Sequence, residues 1–240
     1  MTSPYRSEIR LRLDDPAAQR DVIALGYRRE GIARGAGPDR EDMVVWARLE
    51  DDPEGPSPRV LPDLPGGELT DGVIRIRALH PDDLDGWYEL RSLPESVAAS
   101  VPPVVPPREE VERFFSYAEG RWLAGEVAAM TILDARSGKF AGQIALYYFQ
   151  PHHREGMLGY GVLPAFRGRG YARRAVQLVT KWAFNEARLQ RVVAGTAVDN
   201  IASQKTLQAA GFEIEAKQVG ILPAPNGGRL DAVLYVRRRL

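Results

Sequence analysis

The sequence predicts an α/β domain, a sheet flanked by helices, from about residue 72 to the C-terminus, with a shorter strand–helix–strand–strand unit in front of it. Three observations carry this reading. Strand-period and helix-period segments alternate from Val73 to Arg237. A glycine- and arginine-rich turn joins a strand to a long helix at residues 164–172. Residues 8–49 resemble the last part of the same chain.

The self-similarity is specific. Asp14-Asp15-Pro16-Ala17-Ala18-Gln19, followed by Ala24-Leu25-Gly26-Tyr27, lies on Asp199-Asn200-Ile201-Ala202-Ser203-Gln204, followed by Ala209-Ala210-Gly211-Phe212, at the same spacing. Asp42-Met43-Val44-Val45-Trp46 then matches Asp231-Ala232-Val233-Leu234-Tyr235 after a small loop difference. Residues 1–50 therefore read as a partial repeat. Between the copies, Asp51 to Gly72 carries Pro53, Pro56, Pro58, Pro62 and Pro65 among glycines and acids. Prolines this dense sustain neither a helix nor an inner strand, so 51–71 reads as a partly extended linker.

In the domain at 72–240, Val73 to Ala78 alternates apolar and basic residues, as a half-buried strand does. Pro81-Asp82-Asp83 supplies an N-cap and first turn for a helix to about Arg91. Val101 to Pro107 is an extended proline-rich loop, and Arg108 to Glu119 a charged amphipathic helix. Val127 to Asp134 and Phe140 to Phe149 are strands around the turn Arg136-Ser137-Gly138-Lys139. Met157 to Leu163 is a strand. Gly170 to Glu186 is a long helix facing inward through Val176, Val179, Ala183 and Ala187. Arg191 to Ala197 is a strand, and Asn200 opens a helix that stops at Gly211. Glu213 to Ile221 and Asp231 to Arg237 are the closing strands.

Composition narrows the function. The chain has 240 residues, 44% of them hydrophobic, with no run near the roughly 20 apolar residues that span a bilayer. Met1 to Arg10 lacks the apolar stretch of a signal peptide, so a cytoplasmic location is expected. Lys plus Arg (32) equals Asp plus Glu (32), which argues against a polyelectrolyte partner such as nucleic acid, although Arg167 to Arg174 and Arg237 to Arg239 are locally basic. With no cysteine, disulfides, thiolate metal sites and a covalent acyl-cysteine route are excluded. His80, His152 and His153 show no metal-ligand spacing, so no metal is expected.

The informative segment is Tyr160-Gly161-Val162-Leu163-Pro164-Ala165-Phe166-Arg167-Gly168-Arg169-Gly170-Tyr171-Ala172. Here a strand ends, a glycine-rich loop follows and a helix starts. Free amides at a helix start carry partial positive charge, and glycines let that backbone approach a diphosphate closely. Arg167 and Arg169 add charge for the outer oxygens. Neither the Walker A spacing nor the Rossmann spacing is present.

Arg167-x-x-Gly170-x-Ala172 resembles the acyl-CoA pyrophosphate loop of the GNAT superfamily of N-acetyltransferases. Asp199-Asn200-x-Ala202-Ser203 with Ala210-Gly211-Phe212 is similar to its RimJ/RimL-like branch. The resemblance covers Gly72 to Leu240. It implies the GNAT fold, with a mixed, mostly antiparallel sheet flanked by helices, and acetyl transfer from acetyl-CoA to a primary amine, either a protein N-terminus or a small molecule. It also implies that the strands Tyr160–Leu163 and Val192–Thr196 splay, so that Gly161, Val162 and Leu163 hold the pantetheine arm while Arg167, Gly168, Arg169, Gly170, Tyr171 and Ala172 hold the diphosphate. The thioester then lies near Asn200.

The remaining roles follow from that resemblance and from acid–base chemistry. An alkylamine is protonated at neutral pH and must lose a proton before it attacks, and the thiolate must gain one. The superfamily's tyrosine donor corresponds to Leu207 here, and the branch's serine corresponds to Ser203. Ser203 is therefore read as acid or thiolate hydrogen-bond donor, and Asn200 as the residue orienting thioester and pantetheine, alongside its plain role as N-cap. The branch's glutamate position holds Met157, which leaves Glu155, two residues earlier, as candidate base. Tyr147, Tyr148 and Tyr160 read as packing residues, and His152 and His153 as a solvated pair. The loop Val101 to Pro107 and the helix after it are expected to shape the acceptor pocket. In the N-terminal copy, Asp15 and Ala18 replace Asn200 and Ser203 and no glycine-rich loop precedes them, so that copy reads as non-catalytic, docked on the second domain or imitating a homodimer contact. A non-catalytic acyl-CoA-binding module remains the alternative for the whole.

Overall fold

A computed structural model describes residues 6–100, 102–224 and 227–239. Val101, the first residue of the expected proline-rich loop, lies outside them. The N-terminal unit comprises β1 (Arg6–Arg12), α1 (Pro16–Ala24), β2 (Arg28–Ala33) and β3 (Met43–Leu49). The rest comprises β4 (Glu68–Thr70), β5 (Ile74–Ala78), α2 (Leu84–Ser92), α3 (Pro94–Ala98), α4 (Arg108–Leu123), β6 (Val127–Asp134), β7 (Phe140–Gln150), β8 (Glu155–Val162), α5 (Tyr171–Asn185), β9 (Arg191–Ala197), α6 (Ile201–Ala209), β10 (Glu213–Pro223) and β11 (Arg229–Arg238). No helix of the described residues is long and apolar enough to cross a membrane.

The larger sheet has eight strands in the order β10-β11-β9-β8-β7-β6-β5-β4. Every neighbouring pair is antiparallel except β8 and β9. β6 is buried along almost its whole length, as expected for a strand covered on both faces. On one side lies α5, whose Ala175, Val176, Val179 and Ala183 are fully buried; of the inward residues expected from the sequence, Ala187 falls beyond the helix and is only partly buried. The helix after His80 begins with a tight turn at Pro81–Asp83. Asp83 does more than cap it. Its buried carboxylate accepts both guanidinium arms of Arg77 (2.7 and 2.9 Å) and the Thr131 hydroxyl (2.6 Å), tying α2 to β5 and β6.

The stretch 51–71, read as a linker, is anchored at its second half. Leu61 and Leu64 enter the main core, and β4 pairs with β5. Trp122 Nε1 donates to the Pro62 carbonyl at 3.1 Å. Proline density removes helix and inner-strand options, but it does not stop leucines between the prolines from being buried.

The N-terminal unit and the β9–α6–β10–β11 end share their local architecture. The small sheet has the order β1-β3-β2, matching β9-β11-β10. Asp15 caps α1 by accepting from the Ala18 amide, as Asn200 accepts from the Ser203 amide. Gln19 Nε2 donates to the carbonyls of Arg12 and Leu13, and Gln204 Nε2 to those of Ala197 and Val198. Gly26 and Gly211 both take φ of 85° to end the helix. Arg48 then donates to the Leu25 carbonyl, and Arg237 to that of Ala210.

This unit sits on α4. Val22, Ile23, Val44 and Trp46 form a small core with Leu123, and Arg20 and Arg29 pair with Glu119 and Glu126. The contact is closest at Gly120, where a side-chain carbon would stand 2.3 Å from the Leu13 carbonyl oxygen and 3.1 Å from Gln19 Nε2. Helix propensity favours valine over glycine by less than about 1 kcal/mol. A backbone carbonyl cannot swing aside, so the clash outweighs that gain. Gly120→Val is expected to lower stability by about 1–3 kcal/mol in urea unfolding. An unchanged midpoint would show that the unit does not dock here.

Candidate active site

β8 and β9 lie side by side but pair only at Glu155↔Arg191, Gly156↔Val192 and Met157↔Val193. Beyond Met157 they are unpaired with each other, and the sheet opens into a V. The Leu163 amide donates to the Ala141 carbonyl across β7. By antiparallel alternation Gly161 also turns its amide to β7, whereas Tyr160 and Val162 turn theirs into the opening. Of the three residues expected to meet a pantetheine arm, Val162 alone keeps a free N–H. Leu163 uses both backbone groups, since its carbonyl accepts from Phe166, and Gly161 belongs to the ladder.

At the mouth of the V the chain turns through Pro164–Phe166 into α5. Gly168 (φ 72°) and Gly170 (φ 77°) hold left-handed conformations that disfavour any side chain, and a side-chain carbon at Gly168 would meet nothing within 4 Å. The amides of Gly168, Arg169, Gly170, Tyr171, Ala172 and Arg173 donate to no other group of the described residues. This is a run of unpaired donors at a helix start, suited to a diphosphate. Tyr171 contributes only its amide, because its buried hydroxyl donates to Asp134 at 2.8 Å.

Arg167 departs from its expected role. Its guanidinium donates to the Val162 carbonyl (2.9 Å) and pairs with Glu95 on α3 (2.7 Å), so it braces the loop instead of facing the cradle. Arg169 lies 5.9 Å from the centre of the Phe166 ring and touches the Tyr171 hydroxyl, but it has no carboxylate partner among the described residues, so its charge stays unneutralised.

On the far side of the V, the Asn200 Oδ1 caps α6 through the Ser203 amide (3.1 Å), and its Nδ2 has no partner among the described residues. Tyr160 reaches across the opening and places its hydroxyl 2.9 Å from Ser203 Oγ. Its pKa is raised, chiefly by burial, so it holds its proton at neutral pH. Sequence reasoning left Tyr160 as a packing residue, because strand alternation gives a side chain's face and not its reach over a gap. Leu207 is fully buried and supports α6 from below.

These groups share a cavity of about 410 Å³. Tyr160, Gly195, Thr196, Asn200 and Ser203 form one wall, and residues of α2, α4 and the β10–β11 hairpin form the other. Glycine at 159 and 195 keeps this space open; a side-chain carbon at Gly195 would meet no atom within 4 Å.

Glu155 is not part of it. It stands at the paired end of β8, where Arg191 grips its carboxylate at 2.6 Å and also binds Glu215. The candidate base from sequence is thus a structural ion pair, because the strands open only beyond Met157. His152 and His153 are exposed and do not line the cavity. No group of three metal-ligating side chains occurs among the described residues.

Residues 74–213 match the family profile described as Acetyltransferase (GNAT) domain. The chain is 32% identical over 177 residues to the putative ribosomal N-acetyltransferase YdaF of Bacillus subtilis (strain 168), covering 68% of this chain and 89% of that protein. It is 32% identical over 85 residues to the probable N-acetyltransferase YjcK of the same organism, covering 35% of this chain and about half (47%) of that one. A crystal structure of spermidine N-acetyltransferase from Vibrio cholerae in complex with CoA and spermine superposes with a TM-score of 0.61 at 19% identity, covering 70% of this chain and 96% of that one. At that identity the likeness speaks to the fold.

Proposed function

The chain belongs to the GNAT acetyltransferase family, and we propose that residues 72–240 transfer the acetyl group of acetyl-CoA to a primary amine by direct attack in a ternary complex. The observation that carries this reading is the run of six unpartnered amides from Gly168 to Arg173, set beside an opened sheet that leads to Ser203. Those amides, with Arg169, bind the diphosphate. The free Val162 N–H and the Asn200 Nδ2 orient the pantetheine arm and the thioester.

The neutral amine nitrogen attacks the thioester carbonyl carbon. A nitrogen–carbon bond forms, the carbon–sulfur bond breaks, and the departing thiolate takes a proton. Ser203 Oγ gives that proton and is resupplied by the Tyr160 hydroxyl, while the acylated nitrogen releases its surplus proton to solvent, from which Tyr160 is reprotonated. This takes over the work of the tyrosine that the buried Leu207 replaces. The chemistry uses no covalent enzyme intermediate, in keeping with a chain without cysteine.

The N-terminal unit is proposed as a non-catalytic partial repeat that braces α4. It carries Asp15 and Ala18 where Asn200 and Ser203 stand, and Ala18 has no proton to give. A second reading, an acyl-CoA-binding module without turnover, draws on Leu207 and Met157, which stand where the family's tyrosine and glutamate would be. Calorimetric titration with coenzyme A, followed by thiol release from acetyl-CoA over a panel of amines, tests both. Micromolar binding with amine-dependent release is expected. Binding without release on any amine would leave the module, and no binding would remove both.

A further inference from the structure

We propose that the acceptor is a compact amino acid with an apolar side chain, held between Arg91 and Glu110. This rests on the acetyl-transfer reading above and names its substrate class.

The cavity is small for its task. Ligand pockets run from about 300 to 1,000 Å³, and this one, at about 410 Å³, takes the acetyl end of the donor as well as the acceptor. Its outer wall is mostly apolar, with Trp87, Leu90, Val111, Phe114, Leu222 and Pro223. An acceptor body that fits is short and apolar.

Among the described residues, lysine, histidine and aspartate are absent from this lining, and its charged groups are one arginine and one glutamate. Arg91 on α2 is half-buried and lies 5.3 Å over the Trp87 ring, which fixes the guanidinium plane. It has no carboxylate partner among the described residues. Glu110, in the first turn of α4, has no cationic partner either, and the helix start favours its negative charge. The neighbouring Arg108 is taken by Asp85 (2.6 Å) and Glu112 (3.2 Å), so it is not held to Glu110. Arg91 and Glu110 are not within ion-pair distance of each other.

The cavity's one cation, half-buried, and its one anion, exposed at the rim, have no ionic partner within the protein and match a ligand bearing both charges. An amino acid brings its carboxylate to Arg91 and its ammonium to Glu110. The ammonium gives one proton to the Glu110 carboxylate and becomes the neutral nucleophile; once acylated, the nitrogen releases its second proton to solvent, while the thiolate takes a proton from the Ser203 and Tyr160 hydroxyls, which solvent restores. A polyamine brings only positive charge and is repelled by Arg91. An internal peptide N-terminus leaves Arg91 unpaired.

The test uses acceptors that differ by the carboxylate alone: phenylalanine against phenethylamine, and leucine against isopentylamine. With acetyl-CoA saturating, kcat/KM is expected to be about 10- to 100-fold higher for each amino acid, the worth of a hydrogen-bonded charge. Arg91→Met is expected to bring the ratio close to one, and Glu110→Gln to lower the rate for both members of each pair. Because the ratio is taken within one preparation, partial misfolding of a variant does not mimic the result. Equal rates in the wild type, or a ratio untouched by Arg91→Met, would overturn the proposal. Turnover confined to polyamines or to peptide N-termini would overturn it and leave acetyl transfer standing. Coenzyme A binding with no turnover of any amine would sink both.

Discussion

Replacing Gly170 with valine is expected to weaken coenzyme A binding by at least about 100-fold in a calorimetric titration, with little loss of fold. Gly170 sits at φ 77° immediately before α5. A residue with a side-chain carbon costs about 1–2 kcal/mol in that conformation, and a β-branched one more. The chain relieves the strain by rotating this peptide, which turns the Tyr171 and Ala172 amides away from their common focus. Losing two hydrogen bonds to a charged diphosphate, each worth about 1.5–3 kcal/mol, gives the stated factor. A packing clash does not compete as an explanation, because the added carbon would come no nearer than 4.0 Å to the Arg173 and Arg174 side chains. Gly55→Val is the control. Gly55 has φ 93° and open space around it, but it is remote in sequence from the cradle. If Gly170→Val binds coenzyme A as tightly as Gly55→Val does, the amide cradle is not the diphosphate site.

The cradle was legible in the sequence because its cause is local. Two glycines and a strand-to-helix junction within a few residues fix both backbone conformation and free amides. The likeness of residues 8–49 to the C-terminal end was legible for the same reason, since the cap at Asp15, the amide of Gln19 and the turn at Gly26 all act within their own segment. What the sequence hid depends on contacts between distant segments. Arg167 looks like a phosphate ligand until α3, which the proline-bounded pattern did not reveal, brings Glu95 to it. Glu155 shares a strand with the opening yet sits on its closed end, and only the pairing with β9 fixes where closing stops. Leu61 and Leu64 are hidden from a linker reading because burial is decided by what folds over them. Arg91 and Glu110 carry no motif and come to line one cavity only through the packing of α2 and α4.

Tyr160→Phe and Ser203→Ala are each expected to lower kcat by about 10²-fold or more, the usual worth of a positioned proton donor, with the double variant no slower than the slower single. The two hydroxyls stand 2.9 Å apart and form one route for one proton, so removing either breaks the route and removing the second has nothing left to break. The pH dependence separates this from a packing effect. Burial raises the Tyr160 pKa above its ordinary value of 10.0, so the donor keeps its proton through the neutral and mildly alkaline range. A donor with a raised pKa loses activity only as pH rises through that raised value, and kcat should show no alkaline fall from Tyr160 below about pH 10. Tyr160→Phe has the ring and lacks the hydroxyl, so a loss of rate at constant KM for acetyl-CoA assigns the effect to the proton and not to the shape of the opening. Rate losses that multiply in the double variant would mean two separate duties. An unchanged kcat in Tyr160→Phe would mean that Ser203 draws its proton from solvent, with the tyrosine serving only to pack β8 against α6.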